Sequence, residues 1–341
     1  MKIYRIALLG GDGIGPEVIR AARRVLEALP LCWEWLEGEI GWGAYQRWGD
    51  PLPSETLTLI RQADATLFGA VTTPPDVPNY RSPVLRMRQE LDLFANLRPC
   101  RSIPHPISRP DVHLLVVREN TEDLYVGRER LEENGETAVA EMVITRRASA
   151  RIMRIACEQA RQRRLPRVTL VHKANVLRQT SGLFRRVALE VGAEYPDLQV
   201  DEMLVDTCAM ELIRAPQSFG VIVTTNLFGD ILSDEASMLV GGLGLACSAN
   251  IGEHTAVFEP VHGSAPALAG KNLANPLAAI GSAAMMLDYL GEDRWARCVE
   301  LVIHRVIADR QVTPDLGGTL GTQDVAEAVI RYLQYVEEVE P

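Results

Sequence analysis

The apolar residues of this chain fall into short unbroken runs that alternate with stripes at three- and four-residue spacing. Ile3–Leu9 (IYRIALL) reads as a buried first strand, and it runs into Gly10, Gly11, Asp12, Gly13, Ile14, Gly15 and Pro16. Glu17–Ala28 then sets Val18, Ala21, Ala22, Val25 and Leu26 on one helical face. Ala65–Val71 is a second buried strand, ended by Thr72, Thr73, Pro74 and Pro75 before a loop to Tyr80. Val112–Val117 is another, delivering Arg118 at its end. Ala148–Arg163 predicts a helix, Val168–Val171 a strand ending in His172, and Gly182–Val191 a helix. Met203–Val205 leads into Asp206, and Val221–Val223 closes a strand before the turn residues Thr224, Thr225 and Asn226. A helix begins near Leu227; Gly241, Gly242 and Gly244 follow as a flexible or closely packed segment. Leu277–Leu290 is an apolar helix of a core or subunit interface, Pro314–Gly318 a turn, and Thr322–Tyr335 the last helix. Strands alternating with helices predict an α/β fold with a mixed or parallel sheet.

A strand, a glycine turn and a helix at the N-terminus invite a dinucleotide-binding reading. The spacing refuses it, because a GxGxxG set at Gly11 and Gly13 needs glycine where Pro16 stands. A tight turn closing a strand onto a helix accounts for the same residues.

Composition narrows the class. The 341 residues suggest two domains or one large one, and 47% hydrophobic content is ample for a core. A net charge of −10 argues against a general nucleic-acid binder. No secretory signal is visible, and the longest uncharged stretch, Ala236–Gly252, is Gly-rich and too short for a membrane span. Six scattered cysteines without a CxxC pair fit reduced thiols, so a cytoplasmic protein is expected.

Charged positions supply the candidate chemistry. Asp230 and Asp234 lie four apart, on one face of the predicted helix. Like charges there repel by roughly 0.2–0.5 kcal/mol on a bare helix, and a bound cation reverses the sign. An ordinary solvated acidic face is the alternative. Arg81–Arg101 holds Arg81, Arg86, Arg88, Arg98 and Arg101 against Glu90 and Asp92. Arginine forks match carboxylates in bidentate geometry, so a small polycarboxylate is one reading and surface ion pairs the other. Lys173, one of three lysines, stands at a strand end. The small residues after His262 in VFEPVHGSAPALAG (Val257–Gly270) could offer backbone N–H groups to phosphate. Carboxylates at Asp206, Asp230 and Asp234 suit Mg²⁺ or Mn²⁺. A tyrosine and a lysine could serve as acid and base. Together these residues suit metal-assisted chemistry on a polycarboxylate.

GDGIGPE (Gly11–Glu17), RENTEDLY (Arg118–Tyr125), HKAN (His172–Asn175), NLFGDILSD (Asn226–Asp234), EPVHGSAP (Glu259–Pro266) and DLGG (Asp315–Gly318) resemble the metal-dependent β-decarboxylating dehydrogenases. That family comprises isocitrate, homoisocitrate, 3-isopropylmalate and tartrate enzymes, and the resemblance covers nearly the whole chain. It implies a two-domain isocitrate/isopropylmalate dehydrogenase-like α/β fold with a mixed sheet, not a Rossmann fold. Residues 1–99 with 250–341 would form a large domain with both termini and most cofactor contacts. Residues 100–249 would form a small domain with dimer contacts and metal ligands. The resemblance further implies a homodimer, or a tetramer built on it, with shared active sites, acting on a small-molecule polycarboxylate and not on nucleic acid or membrane.

By motif match, Lys173, Asn175 and Asp206 would come from one subunit; Arg88, Arg98, Arg118, Tyr125, Asp230 and Asp234 would come from the other. Tyr125 and Lys173 would be catalytic. Asp206, Asp230 and Asp234 would hold Mg²⁺ or Mn²⁺. Thr73, Ser82, Val84 and Leu85 would complete the substrate site. Ile14, Thr72, Glu259, His262, Gly263, Ser264, Ala265, Ala267 and Asn275 would bind the nicotinamide cofactor. In the implied mechanism Lys173, through water and Asp206, takes the C2 hydroxyl proton as hydride leaves. CO₂ then departs, and Tyr125 protonates the enol.

The implied substrate follows from two segments. RENTEDLY resembles the isocitrate, homoisocitrate and tartrate branches, whereas isopropylmalate enzymes carry a Leu-Thr-Gly-Gly type sequence there. In Tyr80–Arg88 (YRSPVLRMR), Tyr80, Ser82, Pro83, Val84 and Leu85 resemble the fungal-type homoisocitrate version. The expectation is therefore oxidation of a (2R,3S)-type 2-hydroxy polycarboxylate, homoisocitrate to 2-oxoadipate and CO₂, as in lysine biosynthesis through aminoadipate. Isocitrate comes next, then 3-isopropylmalate or tartrate. Val84 and Leu85 offer no counter-charge to a distal carboxylate, so Ser82, Arg81 or Arg86 would have to answer it. NAD-using relatives place Asp directly after HGSAP and NADP-using ones Lys, then Tyr; here Ala267 and Leu268 follow. NAD is the expected cofactor, with NADP open. A non-catalytic regulatory subunit on the same fold is the alternative of another class; the presence of Tyr125, Lys173 and all three aspartates stands against it.

Overall fold

The first strand, β1 (Ile3–Gly11), is apolar because it lies between two parallel neighbours with Ile6, Ala7 and Leu9 fully buried. The computed structural model describes residues 2–74, 76–77 and 80–339, with side chains to residue 335. Pro75, Pro78 and Asn79, in the loop before Tyr80, lie outside the described residues.

After β1 come α1 (Gly15–Glu27), β2 (Cys32–Gly38), α2 (Trp42–Trp48), α3 (Ser54–Gln62), β3 (Ala65–Ala70) and α4 (Pro83–Glu90). Next are β4 (Ala95–Arg101), β5 (His113–Glu119), the hairpin β6 (Glu129–Glu132) and β7 (Thr137–Ala140), and α5 (Arg146–Arg163). The chain continues with β8 (Arg167–His172), α6 (Thr180–Gly192), β9 (Gln199–Leu204), α7 (Val205–Arg214), β10 (Val221–Thr224) and α8 (Asn226–Leu239). It ends with β11 (Cys247–Ile251), β12 (Ala256–Pro260), α9 (Leu277–Tyr289), α10 (Asp293–Ala308) and α11 (Thr322–Val339). The fold is α/β with mixed sheet, as expected.

Two units divide the chain. One comprises Met1–Leu91, Ile103–Ser108 and Gly241–Pro341. Its strands run in the order β2-β1-β3-β12-β11, with only the β11–β12 pairing antiparallel. Helix α1 buries Val18, Ala21, Ala22, Val25 and Leu26, the predicted stripe. Each fully buried Val or Leu contributes about 1.5–3 kcal/mol, well above helix-propensity differences of a few tenths. Pro16, which excludes the dinucleotide fingerprint, sits in the first turn of α1, where a missing N–H costs nothing.

The other unit comprises Asp92–Ser102 and Arg109–Val240. Its strands run β4-β5-β10-β8-β9, with β4–β5 antiparallel and the rest parallel. Its core joins Val116, Val171, Ile222 and Phe219 to Cys208 and Leu212 of α7 and Leu232, Ala236 and Leu239 of α8. None of the six cysteines forms a disulfide. No helix among the described residues is long and apolar enough to cross a membrane.

Several elements correct the sequence reading. Arg118, read at a strand end, is the penultimate residue of β5, opposite Asn96 on β4 and Thr224 on β10. Asn226, read as a turn residue, opens α8. Asp206 stands in the first turn of α7, because β9 ends at Leu204 and the helix starts at once. The Arg81–Arg101 stretch is split between helix α4 and strand β4, so its arginines point to different places.

Candidate active site

Strand β5 and helix α8 meet over one arginine. Arg118 is 1% exposed, and its Nε and Nη2 donate to Asn226 Oδ1 at 2.9 and 2.7 Å. Its Nη1 donates to Asp230 Oδ1. The side chain passes under Gly229, where a Cβ would stand 2.6 Å from Arg118 Cγ. From β4, Arg98 Nη1 donates to Ser233 Oγ at 2.8 Å and Asp234 Oδ1 at 3.0 Å, and its Nε is held by Asn96 Oδ1 at 2.7 Å. The Tyr125 hydroxyl donates to Asp230 Oδ2 at 2.6 Å, and the Arg118 guanidinium lies 5.1 Å from its ring centre. Partial burial pushes the Asp234 carboxyl up, Asp230 adds to this, and Arg98 and Arg118 pull it back. The helical spacing that puts Asp230 and Asp234 on one face thus places both against buried guanidinium groups.

A second pair lies at the ends of β8 and β9. Lys173 Nζ donates to Asp206 Oδ1, which holds the Asp206 carboxyl below its ordinary range. Asn175 beside it is exposed. His172 is structural: its Nδ1 accepts from Ala174 N at 3.1 Å, and burial lowers its pKa. Among the described residues no three His, Cys, Asp or Glu side chains are placed to hold one ion. Asp230 and Asp234 share one turn of α8; Asp206 is with Lys173. Carboxylates one turn apart, flanked by solvent, fit part of the shell of a hard, oxygen-seeking cation.

The first unit carries the other predicted residues. Asp12 accepts from Trp42 N at 2.7 Å, Gly43 N at 2.9 Å and Thr72 N at 2.8 Å, which ties the start of α2 and the segment after β3 to the glycine turn. Ile14 N donates to Ser264 O at 2.8 Å, and the Thr72 and Ser264 hydroxyls are 2.7 Å apart. Gly13 (φ +61) is required here, since a Cβ would stand 1.9 Å from Ser264 O. GDGIG and HGSAP therefore meet. Asn275 Oδ1 accepts from Leu277 N at 3.0 Å, at the start of α9, and its Nδ2 donates to Asp315 of the DLGG motif at 2.9 Å. Gly263, Ala265 and Ala267 are exposed, and Ala265 takes a positive φ of 35°. His262 Nε2 is buried without a hydrogen-bond partner among the described residues. An orphaned polar atom beside an exposed small-residue loop fits a bound group that hydrogen-bonds, as a nicotinamide cofactor would.

The arginine-rich stretch resolves into different duties. Arg88 is buried and its Nη2 donates to Glu259 Oε1 at 3.1 Å, which also accepts from Asn250 Nδ2 at 2.7 Å. Arg86 is an ordinary ion pair with Glu90 and Asp50. Ser82 precedes the first turn of α4, Val84 and Leu85 lie half-buried on it, and Thr73 is exposed. Sequence reasoning missed Asp12, Asp123, Asn226 and Asn250 as organisers. Asp12, Asp123 and Asn226 lie inside quoted motifs, but each has a partner far along the chain: Asn226 acts on Arg118, 108 residues away, and Asp123 on Leu227, 104 residues away.

The chain matches the isocitrate/isopropylmalate dehydrogenase family model over residues 5–329. It is 53% identical over 332 residues to an isocitrate/homoisocitrate dehydrogenase of Thermus thermophilus, covering 97% of this chain and 99% of that one. It is 50% identical over 336 residues to a 3-isopropylmalate dehydrogenase of Methanothermobacter thermautotrophicus, covering 98% and 100%. The structure of an isocitrate dehydrogenase from Methylococcus capsulatus superposes with a TM-score of 0.94 at 46% identity, over 97% of this chain and 99% of that one. The chain belongs to the isocitrate/isopropylmalate dehydrogenase family. It is a β-decarboxylating dehydrogenase acting on a CH–OH group, and enzymes of this family are generally divalent-metal dependent and use NAD or NADP.

Proposed function

We propose that the chain oxidises and decarboxylates homoisocitrate with NAD, and isocitrate as a second substrate. The observation that carries this reading is the cluster of Arg98, Arg118, Tyr125, Asp230 and Asp234 on β4, β5 and α8. Two guanidinium forks backed by buried partners are built to hold carboxylates in fixed geometry. In this reading Arg98 and Arg118 hold the C1 and β-carboxylates. Lys173, paired with Asp206, accepts the C2 hydroxyl proton. Tyr125 returns a proton to the carbon that CO₂ has left. Asp230 and Asp234 with Asp206 would hold Mg²⁺ or Mn²⁺, and the HGSAP loop would hold NAD; the metal would supply Lewis-acid stabilisation of the hydroxyl oxygen and enolate, and the nicotinamide would be the hydride acceptor.

We infer that a second copy supplies Lys173 and Asp206 to each site. Helix α7 presents Asp206, Met210 and Ile213 at i, i+4 and i+7, and α8 presents Ile231, Asp234 and Met238 at i, i+3 and i+7. Met210, Ile213, Ile231 and Met238 are 65%, 49%, 58% and 62% exposed. Large apolar side chains ranged along two neighbouring helices beside the acidic groups favour an isologous partner.

The test is kcat/KM for homoisocitrate, isocitrate, 3-isopropylmalate and tartrate, each with NAD and NADP. Homoisocitrate with NAD should rank first. A preference for 3-isopropylmalate would mean that Val84 and Leu85 select an apolar side group, and the substrate assignment would fall.

A further inference from the structure

Asp123 is fully buried at 0% exposure, yet its backbone stands at φ 71°, ψ −145°, a region that glycine alone enters freely. The strain is held from three sides. Asp123 N donates to Val143 O at 2.8 Å, in an isolated antiparallel bridge. Its Oδ1 accepts from Leu124 N at 2.8 Å, which starts the short 3₁₀ turn Leu124–Val126 that carries Tyr125. Its Oδ2 accepts from Leu227 N at 3.0 Å, in the first turn of α8. One carboxylate thus spans the turn bearing Tyr125 and the helix bearing Asp230, the acceptor of the Tyr125 hydroxyl.

The neighbouring acids are engaged elsewhere. Glu119 accepts from Thr121 N, Thr121 Oγ1 and Glu122 N, and Glu122 accepts from Thr145 N and Oγ1. Asn226, which holds Arg118, also donates to Glu122 O at 3.2 Å. Asp123 accepts backbone N–H groups of both the turn and α8 through its side chain, and Arg118 reaches the same two elements over the Tyr125 ring and at Asn226 and Asp230. A glycine would accept the backbone without strain, so a carboxylate standing at that φ points to the two hydrogen bonds.

We propose that Asp123 is a positioning residue that sets the Tyr125 phenol on α8 for proton delivery. The inference rests on Tyr125 being the acid of the reading above. Asp123→Gly suits the backbone and removes both acceptors; Asp123→Asn retains one. With Asp123→Gly, kcat should fall roughly 10- to 100-fold, the size expected when a reacting group is displaced by about an ångström, with KM nearly unchanged. Asp123→Asn should lie between. In a Tyr125→Phe background Asp123→Gly should cost nothing more, since the group it positions is gone. The ¹³Cζ resonance of labelled Tyr125, identified by its loss in Tyr125→Phe, should shift in Asp123→Gly and return toward the parent position in Asp123→Asn. If Tyr125→Phe turns over at the parent rate, the phenol is not the acid and both ideas fall. If Tyr125→Phe is slow but the two losses multiply, or the Tyr125 resonance stays put in Asp123→Gly, Asp123 does not act through Tyr125 and this inference alone is overturned.

Discussion

The Tyr125 hydroxyl donates to Asp230 Oδ2 at 2.6 Å, joining two motifs 105 residues apart in the chain. Asp230 also receives Arg118 Nη1, so one carboxylate faces a phenol and a buried guanidinium. Asp230→Asn should abolish turnover at every Mg²⁺ or Mn²⁺ concentration. The fold should survive with a loss of about 1–2 kcal/mol, because Arg118 keeps Asn226 while its charge goes partly unanswered. Circular dichroism and steady-state rates decide it; parental activity would remove Asp230 from the site.

Gly229 tests Arg118 without touching a charge. A methyl group there would overlap Arg118 Cβ and Cγ, at 2.7 and 2.6 Å. Gly229→Ala should cost about 1–3 kcal/mol from overpacking and raise the substrate KM at least about tenfold through the displaced fork. An unchanged KM would mean that Arg118 does not hold the substrate.

Ala267 is exposed on the 3₁₀ turn Pro266–Leu268. Ala267→Asp should lower the KM for NAD about fivefold, as expected of a partly exposed charge-assisted hydrogen bond worth roughly 1 kcal/mol. NADP should not improve. No change with NAD would mean that its ribose is held elsewhere.

The exposed faces of α7 and α8 predict an oligomer. Met210→Glu with Met238→Glu should shift sedimentation toward the 37.6 kDa of one chain and remove activity, because Lys173 and Asp206 would lose the other half of the site. Full activity in a monomer would refute site sharing.

His172 gives the pH dependence. Burial lowers its pKa below the usual value near 6.5, with Glu202 pulling the other way. As pH falls below about 6.5 the unfolded chain takes up the proton before the folded one, so stability drops through that window. His172→Asn keeps an acceptor for Ala174 N and removes the titration. The gap in Tm between parent and variant should narrow from pH 7 to pH 5.5; a constant gap would assign the acid sensitivity elsewhere.

Local pattern alone carried much of this molecule. The stripe of Val18, Ala21, Ala22, Val25 and Leu26 is the buried face of α1, and the run at Ala65 is the buried β3, because burial repeats with the period of the element. Helix α10 was equally legible in Ala296, Val299, Val302, Ile303 and Val306, all buried, and the sequence reading passed over it. Pro16 excluded the dinucleotide fingerprint unaided. The motifs were enough to name the family.

Which polar groups meet was decided only by tertiary structure. Arg86 and Arg88 are two residues apart on α4, yet Arg86 joins exposed Glu90 and half-buried Asp50 while Arg88 turns inward to Glu259, which Asn250 also holds. Asp123 reads as one more acid in an acidic stretch; buried at a strained φ, it ties Tyr125 to α8. Periodicity reports the side of an element that leaves water, a local property. A hydrogen bond between residues a hundred positions apart depends on the register of β5 against β10 and on where α8 begins, and those follow from packing the whole unit.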